Sequence, residues 1–289
     1  MSKWIALVAG MSLPCSFVAI GCGSGASQAE CSGTTQGQLT VCSTSATLKG
    51  IDVSHYQGAV DFDAVKASGR SFAFAKAMEG TATPDSMFPT NWPNMKKAGL
   101  VRGAYHFFRA SEDPDAQATA FVAALQSAGG LEVGDLPPVL DLESTDAQSV
   151  ATVLSRALAW LSAVETKLGV RPIVYTGNSM SSVVGSTFVS YKLWVAEYQV
   201  TCPTMSGGWT TWTFWQDSQT GSVPGVAGAV DTDYFDGNLT SLTSLTVGAS
   251  PSGEDAGTDA GPTVAVNDAG QPTSLDASVP TSQTPNPCR

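Results

Sequence analysis

The stretch Leu136-Pro137-Pro138-Val139-Leu140-Asp141-Leu142-Glu143, with the pattern that follows it over Asp146–Leu168, decides the fold. An apolar run of strand length ends in two acids. In the segment after it, Val150, Val153, Leu154, Leu158, Leu161, Val164 and Leu168 recur mainly at steps of three and four. That spacing lays one apolar stripe along a helix, and Gly169 stands at the expected C-terminal stop. A strand feeding into an amphipathic helix is the repeating unit of a parallel sheet.

Outward from this unit the alternation continues. Strands are expected at Leu48–Val53, Ser71–Ala77, Val101–Phe107, Pro172–Thr176, Lys192–Tyr198, Thr211–Gln216 and Ala229–Phe235. Weaker helices are expected at Phe62–Ser68, Pro89–Ala98 and Asp115–Ser127, and beyond Thr176 the helices shorten or vanish. The order predicts an irregular parallel (β/α)8 barrel of the TIM type over residues 47–246, with reduced helices in its second half. A flat doubly wound sheet is the alternative. Polar and aromatic residues favour the barrel, because they gather where strands end: Asp52, Glu79, His106, Asp141 with Glu143, Tyr175, Glu197, Gln216 and Asp231. A β/α barrel builds its active site at that face.

Asp141 and Glu143 carry the sharpest chemical signal. Residues i and i+2 of a strand share a face, with Cα atoms about 6.5–7 Å apart. Two carboxyls so placed resist joint ionisation, so one is expected to keep its proton while the other is charged. Glycoside cleavage needs that division: an acid for the leaving oxygen and a negative partner for an oxocarbenium-like transition state. An isolated D-x-E would equally fit a solvated loop or a helix start; its place at a barrel strand end favours catalysis.

Several segments, in order, resemble the family 25 glycoside hydrolases, the Chalaropsis-type lysozymes. They begin with Gly50-Ile51-Asp52-Val53-Ser54-His55-Tyr56-Gln57-Gly58. Then come Phe74-Ala75-Lys76-Ala77-Met78-Glu79-Gly80, Gly103-Ala104-Tyr105-His106-Phe107 and the Asp141-Leu142-Glu143 motif. Ile173-Val174-Tyr175-Thr176, Leu193-Trp194-Val195-Ala196-Glu197-Tyr198, Trp215-Gln216 and Val230-Asp231-Thr232-Asp233 complete the series. The resemblance spans about residues 49–240. It implies cleavage of the β-1,4 bond between N-acetylmuramic acid and N-acetylglucosamine in peptidoglycan. Glu143 would be the general acid. Asp141 would orient or stabilise the substrate's acetamido group, or act as nucleophilic partner. Asp52 and Asp231 would complete an acidic cluster, and Tyr105, His106, Tyr175, Trp194 and Gln216 would line the sugar sites. Glu79 and Glu197 are added as candidate substrate contacts from their strand-end positions. One departure is Asp233, where the family commonly has Asn.

Each candidate also has a plainer role. Asp52 and Asp231 could form turns, Glu79 could end a strand, and His106 could be a satisfied core histidine. Of Trp194, Trp209, Trp212 and Trp215, one or two are expected in the cleft and the rest in the core. A serine hydrolase is disfavoured because no G-x-S-x-G elbow accompanies His106. A glycan-binding barrel without turnover is disfavoured by the four acids. A chitinase-like glycosidase is disfavoured because Pro137-Pro138-Val139-Leu140 stands where a longer acidic run is usual.

The 289-residue chain carries a formal net charge of -11 with 14 Lys+Arg, which argues against nucleic acid as partner. With two histidines and no zinc spacing, neither a metal nor a cofactor is expected. The first 22 residues, MSKWIALVAGMSLPCSFVAIGC, have the layout of an export signal over 1–21. Ala19-Ile20-Gly21-Cys22 resembles a lipobox with Ala in place of the usual Leu, so Cys22 is the expected lipidation site and first mature residue. The protein is then exported and tethered to a membrane facing the periplasm or exterior, with plain secretion as the alternative. Residues 22–46 read as a linker and 247–289 as a disordered tail rich in Ser, Thr, Pro and Asp. Cys31, Cys42, Cys202 and Cys288 remain for disulfides, with Cys31–Cys42 preferred among three pairings. The enzyme is expected to act as a monomer on glycan strands.

Overall fold

The computed structural model describes residues 39–249 except Thr44 and Ser206. The export signal, Cys22, Cys31, Cys288, most of the linker and nearly all of the tail lie outside the described residues. Strands β1 (Thr47–Val53), β2 (Arg70–Glu79), β3 (Thr83–Pro84), β4 (Val101–Phe107) and β5 (Val139–Asp141) alternate with helices α1 (Phe62–Ala67), α2 (Phe88–Lys97) and α3 (Pro114–Ser127). Then follow α4 (Val150–Leu168), β6 (Ile173–Gly177), the one-turn α5 (Ser181–Val184), β7 (Lys192–Ala196), β8 (Phe214–Gly221), β9 (Val230–Asp236) and α6 (Leu239–Ser244). The sheet runs β1-β9-β8-β7-β6-β5-β4-β2 and closes through β1–β2, with β3 a hairpin appendage on β2.

The eight wall strands match the expected ones in place, with one correction of direction. β9 runs antiparallel to both β8 and β1. A hairpin joins β8 to β9, so no crossover helix is needed there. β5 is shorter than expected because Pro137 and Pro138 have no N–H for the ladder. Helix α4 starts later than Asp146, at the Ser149 cap whose side chain accepts from the Thr152 N–H, and it ends at Gly169 with φ 66° as expected.

Strand alternation divides the core in two. Inside the barrel lie Phe72, Phe74, Val139, Ile173, Phe214 and Phe235. Between barrel and helices lie Val65, Trp92, Phe121, Trp160 and their neighbours. Gly50 and Gly103 face inward; a Cβ on either would strike the ring of Phe72 or Phe74, so the two glycines make room for the interior aromatics.

Two expectations at the N-terminal edge are corrected. The disulfide joins Cys42 to Cys202, so Cys42 is not available to Cys31. Part of the expected linker is fixed to the barrel: Val41 N–H donates to Pro203 O at 2.9 Å, and Met205 N–H to Leu39 O at 2.7 Å. The Trp212 indole also donates to Val41 O at 2.8 Å. These are mostly backbone contacts, which a polar composition does not forbid.

Candidate active site

At the C-terminal ends of the parallel strands lies a cleft of about 220 Å³. Asp52, Asp141, Glu143 and Asp231 line it, with Tyr105, Tyr175, Trp194 and Gln216. They come from seven of the strands and from the loop after β5. The turn between Asp141 and Glu143 is held from β6: Leu142 N–H donates to Tyr175 O at 3.0 Å, and Thr176 Oγ1 donates to Leu142 O at 3.0 Å. Asp141 is buried at the floor while Glu143, just past the strand end, is exposed to the cleft.

The floor is a hydrogen-bonded set. Gln216 donates from Nε2 to Asp52 Oδ2 at 2.6 Å. Its Oε1 accepts from the hydroxyls of Tyr175 at 2.8 Å and Tyr198 at 2.6 Å. The Trp194 indole, stacked on Phe74 and in edge contact with Tyr175, donates to Asp233 Oδ1 at 2.9 Å. Asp141 Oδ1 and Asp233 Oδ2 are buried without a partner among the described residues.

Burial dominates the electrostatics. It raises Asp52 well above the usual carboxylate range, and the charges of Asp231 and Glu143 add to this against the Gln216 hydrogen bond. Burial likewise raises Asp141, reinforced by the charge of Glu143 and a hydrogen bond with it. Asp231 is pushed up to about 6 by burial and by Glu143, although its hydrogen bond with Asp52 lowers it. Asp233 is raised by burial and then by Asp52 and Asp231. A protonated Asp233 presents one carbonyl-like and one donor oxygen, as an Asn side chain presents an acceptor and a donor. The cleft therefore holds protonated acids beside charged ones, the condition for acid catalysis at moderate pH.

Three sequence candidates lie elsewhere. His106 is fully buried on the outer face of β4, stacked on Trp160 and hydrogen-bonded to Gln117 at 3.0 Å. The alternation of a strand forbids Tyr105 and His106 from facing the same side. Glu79 pairs with Lys76 at 2.6 Å and with Arg109 instead of lining the cleft. Glu197 accepts from the Thr204 N–H and braces the segment after β7. Of the four tryptophans, Trp194 lines the cleft; Trp209, Trp212 and Trp215 pack in the outer core.

Lys76, Tyr56, Gln57, Phe107 and Tyr198 line the cleft without having been expected there. Two had a signal in the alternation: Lys76 follows Phe72 and Phe74 on the inward face, and Phe107 follows Gly103 and Tyr105. Tyr56 stands in a single 3-10 turn and Tyr198 in a loop, where periodicity says nothing. Among the described residues no group of three or more His, Cys, Asp or Glu is arranged to hold a metal ion.

A family model described as glycosyl hydrolases family 25 matches residues 51–226. The chain is 35% identical over 208 residues to Lysozyme M1 of Streptomyces globisporus, covering 68% of this chain and 71% of that protein. It is 32% identical to the N,O-diacetylmuramidase of Chalaropsis sp, covering 70% of this chain and all (100%) of that one. The solved bacterial lysozyme from Streptomyces coelicolor superposes with a TM-score of 0.66 at 34% identity, covering 70% of this chain and 97% of that chain.

Proposed function

The chain belongs to glycosyl hydrolases family 25, and on that premise we propose that Glu143 and Asp141 cleave the β-1,4 bond between N-acetylmuramic acid and N-acetylglucosamine in peptidoglycan. The chain is a peptidoglycan-hydrolysing glycoside hydrolase; the assignment of roles to residues is our reading. One observation carries it: an exposed Glu143 stands beside a buried Asp141 whose pKa burial and Glu143 raise together. Burial of Asp141 and the nearby charge of Glu143 favour keeping a proton at the pair. Glu143, the member open to the cleft, delivers that proton to the glycosidic oxygen as the bond breaks; a water then adds to the anomeric carbon and returns a proton to the pair. Asp141 is left charged beneath the sugar, where it stabilises the positive charge developing at the anomeric carbon or orients the acetamido group. Asp52 and Asp231, linked through a shared hydrogen bond, sustain the negative field of the floor.

Mass spectrometry of digested peptidoglycan tests this. New reducing ends should be muramic acid, and Glu143→Gln should reduce turnover by at least about a thousandfold with the fold intact. Glucosamine reducing ends, or substantial turnover in that variant, would overturn the assignment.

We place the enzyme outside the cytoplasm as a monomer anchored through a lipid on Cys22. The signal-like N-terminus and the Cys42–Cys202 disulfide support export to an oxidising compartment. Cys22→Ser should move the protein from the membrane to the soluble fraction; unchanged fractionation would remove the anchor. A dimeric mass in light scattering would contradict the monomer.

A further inference from the structure

Tyr56 is 82% exposed, far more than any other large hydrophobic side chain described except Val133. It also borders the catalytic cleft. Leaving an aromatic ring in water forgoes the stabilisation of burying it, yet this ring is held on a rigid mount. The mount is a single 3-10 turn over His55–Gln57 that follows β1. Ser54 and Gln57 close it as a reciprocal capping box: the Ser54 N–H donates to Gln57 Oε1 at 2.9 Å, and Ser54 Oγ accepts from the Tyr56 N–H at 3.3 Å. Gly58, at φ 62°, ends the turn, and its N–H donates to His55 O at 3.1 Å. The buried Asp85 pins the turn from β3's side, accepting from the His55 N–H at 2.9 Å and lying 2.7 Å from His55 Nδ1. The His55 ring then lies against the Tyr56 ring with centroids 4.1 Å apart, and limits its swing.

We propose that Tyr56 is a stacking platform for a sugar ring of the bound glycan strand, at a position beyond the sugar whose bond is cut. The ring offers a flat apolar face to the flat C–H face of a β-1,4-linked N-acetylhexosamine. Tyr56 follows β1 and Glu143 follows β5, three strand steps apart round the barrel, and both border the cleft. A ring stacked there belongs to a sugar further along the strand. This function rests on the glycan-cleaving reading, and rigid mounting fits it, because a pre-ordered aromatic loses little entropy on binding.

Binding measured without turnover tests the platform. Isothermal titration would use an eight-sugar peptidoglycan glycan chain freed of its peptides, with the Glu143→Gln protein as host. Adding Tyr56→Ala should weaken binding about five- to tenfold, while Tyr56→Trp should restore it to within about twofold, since either ring presents a face. Thermal melting of each variant checks that the fold persists; an exposed side chain should shift it little. Unchanged affinity in Tyr56→Ala would overturn the proposal, as would equal losses in the Ala and Trp variants, which would point to the hydroxyl. Failure of the muramidase reading appears separately, as glucosamine reducing ends from the unmodified enzyme, and leaves this binding comparison standing.

Discussion

Asp231 costs the folded protein stability at neutral pH. Its pKa is about 6 in the folded protein against 3.8 for the free side chain. As pH rises from 4 to 6, the unfolded chain releases this proton while the folded protein keeps it, so stability falls through that window and stays lower above it. Asp231→Asn removes the penalty. At pH 7.5 it should gain about 1–2 kcal/mol, discounted for solvent screening, which raises Tm by roughly 2–8 °C. At pH 3.5 melting should be unchanged, and kcat/KM should drop. Equal Tm shifts at both pH values would show that titration is not the cause. His106 provides the opposite sign. Burial holds its pKa at about 4, below the 6.5 of an unfolded histidine, so stability falls as pH drops from 6.5 towards 4. Its imidazole resonances should stay flat above pH 5 in an NMR titration; a midpoint near 6.5 would place His106 in water. The sequence could not separate these residues by type, since an Asp and a His at strand ends look equally catalytic. Only the inward or outward face of each strand does so, and a shift of one residue reverses it.

At the scale of an element, the loop after β5 sets the position of Glu143. Asp146 and Ala147, with φ 46° and 60°, are consecutive left-handed residues that are not glycine, a conformation costing about 1–2 kcal/mol each. Side chains hold them there. Asp146 accepts from Ser144 Oγ at 2.8 Å and from Arg109 at 3.3 Å, and Arg109 also reaches Glu79, which Lys76 grips from the cleft. These hydrogen bonds overcome the burial of Glu79 and lower its pKa, keeping it charged. Glu79 and Arg109 thus brace the loop without lining the cleft. Arg109→Ala should release the loop and lower kcat about tenfold, with KM changed less and the far-UV spectrum unaltered; an unchanged kcat would mean that the loop holds itself. The strand and helix of this unit were legible because their periodicities differ and their ends carry acids or Gly169. The loop was not. Its conformation depends on Arg109, 37 residues from Asp146, and such a contact leaves no local pattern.

At the scale of the molecule, eight strands with polar residues at their ends favoured a closed barrel over a flat sheet, but the direction of β9 was not legible, because period-two alternation is the same read either way. The β8–β9 hairpin has no crossover helix, and the strap over Leu39–Ser43 covers part of this side instead. Thr40 bridges Thr204, and the Cys42–Cys202 disulfide locks the strap to the segment after β7. Four cysteines allow three pairings, and spacing favours the short loop of Cys31–Cys42. The closed barrel instead brings Cys42 and Cys202 together across a separation of 160 residues. A crosslink spanning so long a loop restricts the unfolded chain strongly, so losing it should cost about 3–5 kcal/mol and lower Tm by roughly 6–20 °C. Activity should suffer too, because Tyr198 lies on the same segment and donates to the Gln216 that holds Asp52. Cys42→Ser, Cys202→Ser and the double variant should melt at nearly the same temperature, since each removes the same single bond. If the double variant instead lost the sum of the two single losses, the cysteines would be stabilising the barrel as separate side chains.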